Sequence, residues 1–360
     1  MYRWKSRFAP LCLLAFATAA GAAVPTPPDP GIDGLMQRYD GQVPGAAVLV
    51  LKDGQPVFQR GYGLAVVEDG TPVTPTTNFR LASVSKQFTA AAILLLAEDG
   101  RLSIDDPLKQ WLPGLPAVAD TMTLRQLLSH TSGLLDYEDL MDQHGDPADT
   151  RQVHDIDVLH LLEKENRTYF APGSDYRYSN SGYALLALVV GKASGSDFAS
   201  FLRQRIFLPL GMDATFAHQD GVDEVPERAY GYSEIDGRWQ RTDQSTTSAV
   251  LGDGGIYSSL DDLARWDAAL YDERLLRRES LRLAFSPATA TPEPDVPHYG
   301  FGWRINGDML WHSGESIGFR NVIVRYPKRK LTVIVLSNRN DPEPYPLALA
   351  IAKRWLDAKR

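Results

Sequence analysis

Between 84 and 96 the residues Val84, Phe88, Ala90, Ala91, Ala92, Ile93, Leu94, Leu95 and Leu96 surround the helix axis with apolar side chains. That pattern predicts a helix buried on all sides. Apolar positions at helical spacing predict further helices over 123–128, 155–165, 181–190, 197–206 and 260–271. The two ends of the chain read differently. Runs at 45–51 and 55–62 flank Lys52-Asp53-Gly54, which predicts a hairpin. Runs at 303–305, 309–312, 322–326 and 331–337 predict a meander, with a helix over 346–358 after it and a short helix near 33–39 before the first hairpin. Strands at both ends around a helical middle predict an α/β (α+β) fold: an antiparallel sheet joined from both chain ends and flanked by helices, with a helical lobe over roughly 100–250. There is no internal repeat.

The start of the chain changes where this domain is expected to work. Arg3, Lys5 and Arg7 precede an apolar run over 8–20 and the small residues Gly21, Ala22 and Ala23, the three-part layout of a secretory signal peptide. The expected organisation is a signal peptide over 1–23, a Pro-rich extended tether over 24–32 and one folded domain over 33–360. The apolar run is too short to favour a membrane span. A periplasmic or secreted protein is expected, with no stable span after cleavage. Cys12, the single cysteine, would leave with the signal, so the mature chain would have no disulfide, thiolate nucleophile or cysteine metal site. The full chain carries a net charge of −8; without its first three basic residues it has 34 basic against 45 acidic side chains. Nucleic acid is a poor partner for such a surface.

Candidate chemistry begins at the mouth of the buried helix. Ser83 and Lys86 are three apart, which puts a hydroxyl and an amine on one face, and first-turn N–H groups lack intrahelical partners. A nucleophile, a base and part of an oxyanion hole can come from that one turn. A lysine beside an apolar interior suits proton transfer, because burial disfavours the charged form. The alternative is that Ser83 caps the helix and Lys86 reaches solvent. Tyr178-Ser179-Asn180, just ahead of the helix at 181–190, adds a phenol able to relay protons and an amide able to hold both a lysine and a substrate carbonyl. Otherwise Asn180 caps the helix and Tyr178 packs in the core. His312-Ser313-Gly314 follows a strand, and its glycine allows a ligand's backbone to come close.

Other chemistries find less support. Gly314-Glu315-Ser316-Ile317-Gly318 fits a nucleophile elbow, but such an elbow needs a helix after the turn and a later histidine; a strand follows, and no histidine lies beyond His312. His130, His144, His154, His160, His218 and His298 show no His-Glu-x-x-His spacing and have no cysteine partners, so neither a metal nor an organic cofactor is expected. His130 ends the helix at 123–128, where an imidazole bonds terminal carbonyls in a structural role.

The ordered set Ser83-Val84-Ser85-Lys86, Tyr178-Ser179-Asn180, His312-Ser313-Gly314 resembles the serine β-lactamase and penicillin-binding-protein superfamily, in its class C β-lactamase, carboxypeptidase and esterase branch. Segments 127–134, 252–266, 299–303 and 332–338 are similar to family segments as well. The resemblance implies a cleft between the sheet and the helical lobe. In it Ser83 would form an acyl-enzyme, Lys86 and Tyr178 would share its proton, and the backbone N–H groups of Ser83 and Glu315 would hold the oxyanion. Asn180 would orient the substrate, with His312, Ser313 and Gly314 near its polar tail. Which of Lys86 and Tyr178 is the base stays open, since the two would titrate as a coupled pair. The third motif departs from the Lys-Thr-Gly common in the β-lactamase branch, which favours a hydrolase of esters, small amides or peptides. A β-lactamase, a D-Ala-D-Ala carboxypeptidase and a noncatalytic cell-wall binding protein on the same fold are the alternatives. A titrating His312 would make activity depend on pH near neutrality.

Overall fold

The run at 45–51 forms β1 (Ala46–Lys52), and its hairpin partner forms β2 (Gln55–Tyr62), in a computed structural model that describes residues 28–144, 152–219, 222 and 224–357. The signal peptide over 1–23, the start of the tether and Ala358 lie outside the described residues. Asp53 and Gly54 between the strands have φ of 52° and 78°, the left-handed pair that a two-residue hairpin turn demands. The far end of the chain supplies β3 (Thr289–Ala290), β4 (His298–Tyr299), β5 (Arg304–Asn306), β6 (Met309–Ser316), β7 (Phe319–Tyr326) and β8 (Leu331–Ser337). They make one eight-stranded sheet in the order β3-β4-β5-β6-β7-β8-β1-β2, antiparallel throughout. The two chain ends meet where β1 runs against β8, from Ala46 opposite Ser337 to Lys52 opposite Leu331.

Side chains alternate across a strand, so an uninterrupted apolar strand needs cover on both faces. It has it. Val48, Val50, Val322, Val324, Val333 and Val335 share one core with Ile32, Met36, Ala348, Ile351 and Ala352. Ala47, Leu49, Leu51, Ile323, Ile334 and Leu336 belong to a second core that continues into the helical lobe.

The helices that build these layers and the site are α1 (Pro30–Met36), α2 (Lys86–Glu98), α3 (Leu124–Leu128), α4 (Tyr137–His144), α5 (Asp155–Leu162), α6 (Asn180–Ser194), α7 (Phe198–Leu202), α8 (Leu251–Gly254), α9 (Leu260–Ala269) and α10 (Tyr345–Leu356). α1 starts three residues before the expected position. Asp29 accepts from the N–H groups of Gly31 and Ile32, and Pro30 sits at the first helical position, where its missing N–H costs nothing. The end of the expected tether is therefore helix. α7, capped by Asp197, passes after Leu202 into a π-helical turn over Arg203–Phe207 instead of ending at 206. Among the described residues no single helix is long and apolar enough to cross a membrane.

α2 lies where the layers meet, with every residue from Lys86 to Leu96 buried. It is preceded by a 3₁₀ turn, Ala82–Ser85, so Ser83 stands just outside the α-helix and Lys86 opens it. A buried ion pair ties the sheet to the helices: the Arg325 guanidinium on β7 donates to Asp267 on α9 at 2.6 Å, and Thr332 on β8 donates to the same oxygen at 2.8 Å.

Candidate active site

Side chains three apart eclipse in a 3₁₀ turn. The turn at 82–85 thereby brings the Lys86 amine to 3.1 Å from the Ser83 hydroxyl. Ala82, a buried non-glycine residue, is held at φ 48°, a strained conformation of the kind that surrounding structure must enforce. β6 supplies the enforcement. A Cβ on Gly314 would stand 2.0 Å from the Leu81 carbonyl oxygen and 3.2 Å from the Val84 nitrogen, so the serine turn lies directly on that glycine. The close approach expected of a ligand is made by the nucleophile's own turn.

Lys86 is fully buried, and Nζ has two further partners, Asn180 Oδ1 at 2.8 Å and the Asp253 carbonyl oxygen at 2.9 Å. Each partner has a local reason to be there. Ser179, not Asn180, caps α6 by accepting from the Gly182 N–H at 3.1 Å. This leaves the Asn180 amide free for the lysine. α8 presents the Asp253 carbonyl, and its own start is held by the buried Asp155 carboxylate, which accepts from the N–H groups of Leu251 and Gly252 at 3.0 Å each.

Tyr178 lies against this group, with Nζ of Lys86 4.9 Å from its ring centre. Its buried hydroxyl has no hydrogen-bond partner among the described residues. Behind it stands His130, with ring centres 4.3 Å apart. The expected bond from His130 to helix-terminal carbonyls is absent from its side chain. Instead, Nδ1 accepts from the Ser179 N–H at 3.1 Å, and the His130 carbonyl accepts from the Arg177 N–H at 3.1 Å. One residue thus holds both neighbours of Tyr178. Burial first, then the charges of Lys86, His312 and Arg304, keep this imidazole well below its ordinary pKa.

The third motif differs from expectation in its electrostatics. His312 is fully buried, Nδ1 bonds the Ser313 carbonyl at 2.6 Å and Nε2 meets the Tyr299 hydroxyl at 2.9 Å. A donor on Nδ1 leaves Nε2 to accept from the phenol, so a neutral ring satisfies both contacts. Burial, followed by the charge of Arg304, holds its pKa well below 6.5, and Lys86 adds to the effect. An imidazole titrating near neutrality and facing an anionic substrate is therefore replaced by a sealed, neutral one. His298, on β4, is a separate strand residue.

Carboxylates and cations share the surroundings of Ser83, with Arg80 in the same wall as Glu138, Asp253 and Glu315. Asp136 accepts from the N–H groups of Asn180 at 2.6 Å and Ser181 at 3.4 Å, and burial raises its pKa. Tyr137 donates to Asp253 at 2.9 Å, and burial pushes Asp253 up to about 7. Glu138 accepts from Asn180 Nδ2 at 3.1 Å. A cavity of about 230 Å³ opens at Ser83, walled by Arg80, Glu138, Asn180, Ser245, Thr247, Asp253, Glu315 and Ser316 among others. A larger one of about 660 Å³ in the helical lobe holds none of the expected site residues.

The structure brings Ser83, Lys86, Asn180 and Tyr178 together, with Gly314 beneath the turn and Glu315 across the cavity. Ser313 contributes its carbonyl to His312. The residues missed from sequence are Asp136, Glu138 and Asp253, and His130 as a neighbour of Tyr178. Segments 127–134 and 252–266 were noticeable as family-like, yet nothing in their spacing marks a carboxylate for this cleft. Ser316 sits at a strand-turn-strand corner before Gly318, at φ 74°, so no elbow forms there.

A serine in contact with a buried lysine at a helix mouth, set between an antiparallel sheet and a helical lobe, defines a serine hydrolase of the β-lactamase and penicillin-binding-protein type. The chain belongs to the Beta-lactamase family, whose profile matches residues 32–354. It is 35% identical over 318 residues to penicillin-binding protein 4* of Bacillus subtilis (strain 168), covering 84% of this chain and 70% of that one. It is 30% identical over 318 residues to the D-aminopeptidase of Gluconobacter oxydans (strain 621H), covering 85% of this chain and 58% of that one. Among solved structures, the octameric penicillin-binding protein homologue from Pyrococcus abyssi superposes with a TM-score of 0.80 at 27% identity, over 91% of this chain and 76% of that one. The D-amino acid amidase from Ochrobactrum anthropi SV3 gives 0.73 at 26% identity, over 91% and 95%.

Proposed function

We propose that this protein is an exported hydrolase that acylates Ser83 with small amide, peptide or ester substrates and then releases the acyl group to water. The three-way contact of Lys86 carries the reading. Two of its partners, Asn180 Oδ1 and the Asp253 carbonyl, can only accept, while the third is a hydroxyl. A neutral amine donates to the first two and takes the Ser83 proton on its lone pair. The resulting ammonium then donates to all three. One geometry serves both ends of the transfer, which favours Lys86 as the base. The Ser83 oxygen bonds to the substrate carbonyl carbon while the N–H groups of Ser83 and Glu315 hold the oxyanion, and the bond to nitrogen or oxygen breaks as the leaving group takes the proton from Lys86, with Tyr178 as relay. Water then cleaves the ester to Ser83, giving an acid and free enzyme.

The amide and peptide reading draws support from the aminopeptidase and amidase among the similar proteins. The likeness to a penicillin-binding protein supports a β-lactam or D-Ala-D-Ala substrate, but the sealed neutral His312 offers no charge to a carboxylate on such a molecule. The signal-like layout of basic, apolar and small residues over 1–23 supports export to the periplasm or beyond.

The test is a fluorophosphonate label located by mass spectrometry, together with turnover of p-nitrophenyl acetate. The adduct is expected on Ser83, with hydrolysis lost in Ser83→Ala. An adduct on Ser316, whose buried hydroxyl in the cavity wall has no hydrogen-bond partner among the described residues, overturns the assignment.

A further inference from the structure

Arg80 stands on a two-residue strand, Phe79–Arg80, that pairs antiparallel with Ile256–Ser258, and it lies opposite Tyr257. Directly opposed residues put their side chains on one face of such a pair. Asn321 holds the strand as well, its Nδ2 donating to the Arg80 carbonyl at 2.8 Å. The arginine is carried in this way to the wall of the Ser83 cavity, where it is only 4% exposed.

A buried charge is ordinarily paired. Arg80 is not: its Nε has no hydrogen-bond partner, and no ion pair reaches it among the described residues. Two arginines, Arg80 and Arg228, lie by the Tyr257 phenol, and the carboxylate there is taken. Asp243 accepts from Arg228 at 2.5 Å, and Arg228 also donates to the Tyr257 hydroxyl at 3.0 Å. Across the cavity Glu315 is paired with Arg320 at 2.5 Å, and Asp253 accepts from the Tyr137 hydroxyl at 2.9 Å. Glu138 accepts from Asn180 Nδ2 at 3.1 Å. Burial first, then the Asp253 and Asp136 carboxylates, raise Glu138 to about 7, and burial raises Asp253 to about 7. Below neutrality neither of these two offsets Arg80.

The leaving group takes its proton through Lys86 and Tyr178, so it departs on the side of Tyr178. Tyr178 and His312 lie outside the walls of this cavity, which Arg80, Ser245 and Thr247 share with Ser83. The part of the substrate that stays on Ser83 therefore occupies it. We propose that Arg80 binds a carboxylate at the far end of the acyl group, so that the enzyme takes amides or esters of short dicarboxylic acids. This rests on Ser83 being the acylated residue. Three residues of chain span at most about 10 Å, which limits the acyl chain to about two or three carbons between the scissile carbonyl and the anion. A guanidinium holds a carboxylate through two parallel bonds, and the substrate supplies the partner that Arg80 lacks. As pH rises through about 7, Glu138 and Asp253 ionise and offset the guanidinium, so the preference for an anionic acyl group shrinks.

The experiment is protection of Ser83 from a fluorophosphonate label, which reads binding whether or not the ligand turns over. Succinamate and glutaramate, with a carboxylate on the acyl side, are compared with the neutral succinamide and glutaramide. N-acetylglycine against N-acetylglycinamide puts the carboxylate on the leaving side instead. In the unaltered protein at pH 6, one acyl-side acid should protect at about tenfold lower concentration than its diamide, with a smaller advantage at pH 8. N-acetylglycine should gain no more than about threefold over its amide. In Arg80→Gln the acyl-side advantage should fall to within about threefold, and Arg80→Lys, which keeps the charge without the paired donors, should fall between. Equal protection by acids and diamides, no protection by either acyl-side acid, a larger advantage for N-acetylglycine, or an unchanged ratio in Arg80→Gln overturns the inference. The first three outcomes are read on the unaltered protein and hold even where Arg80→Gln does not fold. A label that does not go to Ser83 at all refutes the parent reading instead, and the two failures are distinct.

Discussion

His130 bonds the backbone on both sides of Tyr178, through its ring to Ser179 and through its carbonyl to Arg177, and fills the space behind the phenol. It adopts φ 59°, which asparagine tolerates better than most side chains. Misplacing a proton-transfer group by about 1 Å can cost on the order of 100-fold in rate. His130→Ala should therefore lower kcat on p-nitrophenyl acetate by roughly 10- to 100-fold with little change in KM. His130→Asn keeps an acceptor for the Ser179 N–H and should recover most of the loss. If both variants lose activity only in proportion to a lowered Tm, with KM and kcat falling together, the histidine serves the fold alone. Ser83 and Lys86 were legible at this scale because a contact between residues three apart is written into the covalent spacing. The state of His312 was not, since Tyr299 and Arg304 seal and polarise it from outside its own motif.

Among elements, the 3₁₀ turn and β6 form one unit. The turn can rest on the strand only where no Cβ intervenes, and at Gly314 an added Cβ would meet backbone, which has little room to yield. Gly314→Ala should push the serine turn off the strand, abolish labelling of Ser83 and lower Tm. Gly34, inside α1, has nothing within 4 Å of its ideal Cβ. Gly34→Ala should leave labelling intact and stabilise the protein by up to about 1 kcal/mol. Thermal melts and label stoichiometry on the two variants check both statements; full labelling of Gly314→Ala would show that the turn does not depend on this contact. The hydrophobic pattern gave the longer strands and helices because both periods reflect burial of a face, and missed the short α4, α8 and β3. It gave their ends less well: Asp29 with Pro30 moved the start of α1, and the π-helical turn after Leu202 leaves no mark on the apolar spacing.

For the molecule as a whole, Asp267 and Arg325 are a decisive pair. Both are fully buried, and Nη1 and Nη2 of Arg325 find no hydrogen-bond partner among the described residues, although the rings of Tyr271, Phe285 and Trp303 lie around the guanidinium. Removing one partner of such a pair leaves the other charge buried at a cost of about 3–5 kcal/mol, whereas replacing both with apolar groups is often neutral or better. Asp267→Asn should lower Tm by roughly 5–15 °C. Asp267→Leu combined with Arg325→Met should restore more than half of the loss. A Tm for Asp267→Asn within about 1 °C of the unaltered protein would mean that water already reaches the pair.

The sequence by itself determined the longer strands and helices, though not α4, α8 or β3, together with the joining of both chain ends in an antiparallel sheet and the approach of Ser83 to Lys86. These follow from periodicity and short-range spacing, which every stretch of the chain carries locally. Only the tertiary structure decided what surrounds that lysine. The Asp253 carbonyl comes from 167 residues away, Asn180 from 94, and the carboxylate of Glu138 reaches Asn180 across 42. Burial, desolvation and the sign of the local charge are sums over all neighbours. Those neighbours are chosen by packing the helical lobe against the sheet, so an imidazole that reads as a switch in its own motif becomes a neutral wall, and an unremarked glutamate comes to line the cleft.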